Sequence, residues 1–112
     1  SDEIVFNIVA QERAEVQVVF EPDIGYGRQY ENITFNIQAL YNNQIYYNIY
    51  SEITIDSEYE KYITIIKDIN TYTIQCNLIT IGPIVLNIHI SCEDPVFELD
   101  VQKEFEVRSM FG

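Results

Sequence analysis

The chain has a single histidine, His89, set between Ile88 and Ile90. Nucleophilic catalysis needs a base held beside its nucleophile. Strand alternation instead turns His89 outward, beside Asn87 and Ser91, and none of the five serines lies in a Gly-x-Ser-x-Gly elbow. Gly25-Tyr26-Gly27 does not open a helix after a strand, so it is no phosphate loop. Cys76 and Cys92 form no Cys-x-x-Cys pair that would suggest zinc. The sequence therefore predicts no hydrolase, transferase or redox activity.

Two other side-chain chemistries are plentiful. Carboxylates recur in pairs, among them Asp56/Glu58/Glu60 and Glu98/Asp100. Glu21 with Asp23, and Glu93 with Asp94, each follow a strand, and if the two pairs converged their oxygens would suit Ca²⁺. No Asp-x-Asp-x-Asp-Gly loop is present, and the competing reading is a solvated acidic surface with no cofactor. Nine tyrosines and no tryptophan supply the second chemistry. Tyr46 and Tyr50 are expected to point outward with Asn48 between them, and Tyr26, Arg28 and Tyr30 lie in an earlier loop. Tyrosine contributes rigid amphipathic area at low entropy cost. These six residues are the candidate binding surface, for a protein or for a neutral glycan stacked on the rings. The alternative is cross-strand tyrosine pairs that only stabilise a sheet.

The elements that position these residues are strands. Ile4, Phe6 and Ile8 alternate in a first one; Val16, Val18 and Phe20 face away from Glu15, Gln17 and Glu21 in a second. Ile33, Phe35, Ile37 and Ala39 share a face in a third, and Phe97, Leu99, Val101, Phe105 and Val107 in the last. Period two marks a strand with one wet face. Lys103 interrupts the last apolar face, as a bulge or at the rim of the core. Ser57 to Ile69 mixes helical spacing with strand composition. A helical turn over 57–60, with Ser57 and Glu60 as a capping box, then a strand, accounts for both.

Turn residues divide the runs. Pro22 to Gly27 reads as a loop with two permissive glycines. At Asn42-Asn43, register decides loop length, because a one-residue slip flips a whole strand. A three-residue loop Tyr41-Asn42-Asn43 pairs Ile37 with Tyr47 and Phe35 with Ile49, turning Tyr47 inward. An odd loop at Gly82-Pro83 would likewise put Cys76, Leu78, Leu86, Ile88 and Ile90 on the core face, with Cys76 and Cys92 diagonal on adjacent strands. Diagonal thiols are poorly placed for a disulfide, so two buried free thiols are expected.

Eight or nine short strands with turn signals at regular spacing predict an all-β, antiparallel two-sheet sandwich. The pattern resembles generic immunoglobulin-like domains across the whole chain, and Val16-Gln17-Val18-Val19-Phe20-Glu21-Pro22 is similar to strand endings in many such modules. The Cys…Trp…Cys hallmark of antibody domains is missing. What the resemblance implies is an accessory, adhesive or assembly role.

Composition agrees with strands and limits partners. Ile and Val number 28 against 7 for Leu and Ala, which favours a pleated surface. The net charge of −12 argues against nucleic acid and against anionic membranes. The longest apolar stretch, 79–90, is broken by Gly82, Pro83 and Asn87, so no membrane insertion is expected. No repeat or linker divides residues 1–112, which read as one domain. The expected role is a non-catalytic interaction or adhesion module of a surface, envelope or phage structural protein, at the cell surface or otherwise extracytoplasmic. The alternatives are a structural spacer of a longer chain or a carbohydrate-binding module.

Overall fold

The computed structural model describes residues 15–111, so the Ile4/Phe6/Ile8 segment lies outside it. Nine strands form among the described residues: β1 (Val16–Glu21), β2 (Tyr26–Arg28), β3 (Asn32–Tyr41), β4 (Gln44–Tyr46), β5 (Tyr50–Thr54), β6 (Ile63–Asp68), β7 (Thr71–Cys76), β8 (Ile84–Glu93) and β9 (Val96–Arg108). They build two sheets, ordered β1-β3-β7-β6 with β4 on the end of β3, and β2-β9-β8-β5. These orders are those of an immunoglobulin sandwich, A-B-E-D facing G-F-C, with β2 added beside the last strand. The protein is an all-β, immunoglobulin-like sandwich. Among the described residues the one helical element is a 3-10 turn at Ser57–Tyr59, and Ser57 does not cap it, since Asp56 holds the N-cap position without a side-chain bond.

The period-two readings hold. Phe35, Ile37 and Ala39 of β3, and Phe97, Phe105 and Val107 of β9, are buried against Tyr72, Ile74, Leu86, Ile88 and Ile90. β9 pairs with β8 without a bulge, from Glu93↔Val96 to Ile84↔Phe105. Lys103 sits at the rim instead, with its ammonium over the Phe20 ring and bonded to Asp23.

Three register expectations are corrected. Asn42 and Asn43 form a two-residue turn, Tyr41↔Gln44, with φ of 51° and 66°. This is the backbone that Asn tolerates and that matches the twist of paired strands. Pairing then places Ala39 opposite Tyr46, which is half-buried, and leaves Tyr47 exposed. The cost of the wrong face at Ile37 never arises, because β4 stops after Tyr46. From there the chain crosses to the other sheet, and Asn70 secures the crossing by donating from Nδ2 to the carbonyls of Tyr47 and Ile49. Asn70 Oδ1 accepts from Ser51 Oγ, so Tyr72 donates its hydroxyl hydrogen to Ser51. Burial above all pushes the Tyr72 phenol up from its ordinary value.

The second correction concerns Gly82-Pro83, which joins strands of opposite sheets and is no hairpin turn. Leu78 is exposed, and Cys76 and Cys92 are not on adjacent strands. Both thiols are free, Cys76 buried and Cys92 only half-buried. Burial, with Glu31 second, pushes the Cys76 thiol up to about 11. The third concerns Pro22–Gly27. Its end is β2, parallel to β9, so the sandwich is not purely antiparallel. Gly27 serves close approach there: a Cβ would lie 2.6 Å from Cys76 Sγ and 3.0 Å from Ile33 Cγ1.

Candidate functional site

Alternation gives each sheet an outward face, and the chemistry lies on that of β2-β9-β8-β5. The β8–β9 turn at 94–95 makes paired residues sum to 189, so His89 stands opposite Asp100. β5 adds Glu52 on the other side of His89, and the next row holds Tyr50, Ser91 and Glu98. Thr54, Asn87 and Gln102 form the third row, tied by a bond from Gln102 Nε2 to Asn87 Oδ1. An open depression of about 730 Å³ runs over the first and third of these rows, lined by Glu52, Thr54, Asn87, His89, Asp100 and Gln102 among others.

His89 is engaged from two sides. Its Nδ1 stands 2.7 Å from Asp100 Oδ1 and its Nε2 3.5 Å from Glu98 Oε2. Tyr50 presents its ring edge-on to the imidazole, at 62° and 6.3 Å, and carries Lys67 Nζ 4.7 Å from its own centroid. Lys67 is fixed by donating to the carbonyl of Ser51. Tyr50 is thus a 52% exposed ring held between a cation and an imidazole.

The far end of the same face carries two guanidiniums beside Glu106. Arg28 and Arg108 are direct partners across β2 and β9, and Tyr26 lies beside Glu106. Arg108 sits 3.8 Å from the Tyr26 centroid and bonds Glu106, while Arg28 Nη1 donates to the carbonyl of Ser109. Such stacking holds a planar guanidinium without hiding its charge.

The tyrosine candidates therefore separate. Tyr50, Tyr26 and Arg28 share this outward face, at opposite ends of it. Tyr30 lies past the end of β2, 74% exposed at φ 71°. Asn48 belongs to the crossing segment, where its carbonyl faces Cys92 Sγ. Tyr46 does not share an outward face with Tyr50. It packs edge-on against Tyr41 and Phe97 and donates its hydroxyl to Gln44. The glycan-stacking arrangement thus loses its second ring. The acidic pairs also fail to converge. Glu93 and Asp94 sit at the β8–β9 turn, whereas Asp23 is bonded to Lys103, nine residues along β9 from Asp94, roughly 30 Å at about 3.3 Å per residue. Among the described residues no three His, Cys, Asp or Glu side chains gather to hold a metal ion. No described helix is long and apolar enough to cross a membrane.

Single positions place His89 outward, as found, but do not reveal its partner Asp100. Its signal was the hairpin sum: a two-residue Asp94-Pro95 turn alone places His89 against Asp100.

No protein-family model matches the sequence, and no curated protein matches it. A comparison of structures aligns the chain with the BIgI domain of beta protein from S. agalactiae, solved bound to CEACAM1. The two are 11% identical, with a TM-score of 0.43, over 87% of this chain and 98% of that one.

Proposed function

We propose that this domain is a non-catalytic interaction module of a surface, envelope or phage structural protein, and that the outward face of β2-β9-β8-β5 docks a protein partner bearing cationic side chains. One observation carries the reading: Glu52 and Asp100 flank His89 in one row along an open depression, and the next row presents Glu98 and the exposed, clamped Tyr50. An acidic patch steers a basic partner and suppresses acidic ones. A rigid tyrosine at its edge is the kind of side chain that concentrates binding energy, on the order of 2 kcal/mol or more.

The experiment is a partner selection with wild-type protein, repeated with two double variants. Tyr50→Ala/Asp100→Asn alters this face, and Thr34→Val/Thr73→Val alters the other sheet. The expected outcome is normal folding of both and at least about tenfold weaker binding by the first alone, which corresponds to about 1.4 kcal/mol. Unchanged binding by the Tyr50/Asp100 variant, or equal loss by both, overturns the reading.

A spacer role is the second reading, and a different surface favours it. Leu78, Ile79, Ile81, Met110 and Phe111 are exposed around the end of β9, where Thr80 is bonded to Val107. Apolar area of this kind suits burial against an adjoining body.

A further inference from the structure

A neutral imidazole carries one N–H and one lone pair, whereas an imidazolium donates from both nitrogens. His89 faces a carboxylate at each: Asp100 at 2.7 Å and Glu98 at 3.5 Å. In the neutral form only one of these carboxylates receives a hydrogen, and the other meets a lone pair. The distances say which is kept. Asp100 is at full hydrogen-bond distance, and Glu98 is at the limit of one. The surrounding groups do not supply Glu98 with a substitute. Glu52, from β5, is a third carboxylate, Asn87 and Ser91 on β8 are uncharged, and Tyr50 lies edge-on, with Lys67 of β6 occupied by Tyr50 and the Ser51 carbonyl.

We propose that His89 is a proton-operated latch on this face. Protonated, it holds Asp100 and Glu98 together against the sheet. Neutral, it keeps Asp100 and releases Glu98, so the face presents one more free carboxylate and one positive charge fewer. The face therefore attracts a cationic partner most strongly while His89 is neutral and lets it go when the ring is protonated. The consequence for a partner rests on the proposed function, but the latch itself is a property of the free chain.

The test follows the side-chain carboxyl carbons and the imidazole by NMR on the full chain, from acid to pH 8.5. Because His89 is the only histidine, its ring signal needs no assignment. The Glu98 carboxyl carbon is expected to show two steps, its own and a second that coincides with the imidazole transition. His89→Gln is expected to abolish the second step, and Glu52→Gln to leave it in place. His89→Gln lies on an outward face, and an unchanged amide spectrum verifies that it folds. A Glu98 carbon with one step only, or a second step that survives His89→Gln, overturns the latch. Neither result depends on a partner, so failure of the docking surface and failure of the latch are read separately.

Discussion

The outward faces of the two sheets are built on the same alternation and carry opposite chemistry. On the five-stranded sheet the rows read Asn32–Gln75–Thr64, Thr34–Thr73–Ile66 and Asn36–Thr71–Asp68. Among the described residues, charge appears there only at the edges, in Glu21 and Asp68. Its polar groups bond one another, Thr34 with Thr73 at 3.1 Å and Thr71 with Asn36 at 2.6 Å. On the four-stranded sheet the rows carry Glu52, His89, Asp100, Glu98, Glu104, Glu106, Arg28 and Arg108, acidic at one end and mixed in sign at the other. The fold requires only that these positions be wet. Uncharged β-formers would meet that requirement on both faces, so the charges on one are not explained by folding. This is why the proposed docking surface is placed on the second face rather than by the tyrosine count.

If the comparison is sound, the two faces stand on one core and fail together. Phe35 lies beneath the uncharged face and Phe105 beneath the charged one, 1% and 0% exposed. Each truncation to alanine is expected to cost about 3–5 kcal/mol. Far-UV circular dichroism and tyrosine fluorescence should report one coincident denaturant transition in each variant. Two separated transitions would mean that the sheets are energetically independent.

A smaller change acts on one face only. Gly27→Ala places a methyl group against Cys76 Sγ and Ile33, in a site closed behind by Phe105. Overpacking of this kind costs about 1–3 kcal/mol. The expected outcome is that β2 lifts from β9, so that amide exchange accelerates at residues 26–28 and 106–108. Exchange on β3 and β7 should change less, and equal acceleration on both sheets would remove the distinction.

Most of the core was legible because burial imposes a period that any strand repeats. Ile33 to Ala39 and Phe97 to Val107 needed no knowledge of their neighbours. What failed was pairing between segments. The Asn42-Asn43 register was argued from the hydrophobic pattern beyond Tyr46, yet pairing ends at Tyr46, because Asn70, more than twenty residues later, draws the chain into the other sheet. Gly82-Pro83 looked like a hairpin because nothing local distinguishes a turn from a crossing between sheets. β2 was invisible as a strand: it has three residues and pairs parallel with a strand some eighty positions away. The binding candidates were half legible for the same reason. Tyr50 is outward as the alternation says, Tyr26 and Arg28 lie on a strand that reads as a loop, and Tyr46 turns inward with the two-residue turn.

The weakest effect expected lies where the two sheets meet, at Lys103. Its position on β9 is opposite Leu86, among inward residues, but its stem runs to the rim, 25% exposed, and its ammonium bonds Asp23 at 2.9 Å above the Phe20 ring. The hydrogen bond and charge of Lys103, with the Ile24 amide as a lesser cause, hold the Asp23 carboxyl below its ordinary 3.8. A depressed carboxyl stabilises the fold fully above its unfolded value, and that contribution disappears as pH falls through the folded value. Lys103→Met retains the apolar stem and removes the charge. Asp23 is largely exposed, so the loss at pH 7 should stay below about 1 kcal/mol. It should shrink as the pH falls below 3.8, and the Asp23 carboxyl carbon should titrate closer to that ordinary value in the variant. Urea unfolding of both proteins across that range, with NMR of Asp23, measures both. A stability difference that stays constant with pH would assign the role of Lys103 to its stem packing on Phe20, and the ion pair would then be a consequence of the seam between the sheets rather than one of its supports.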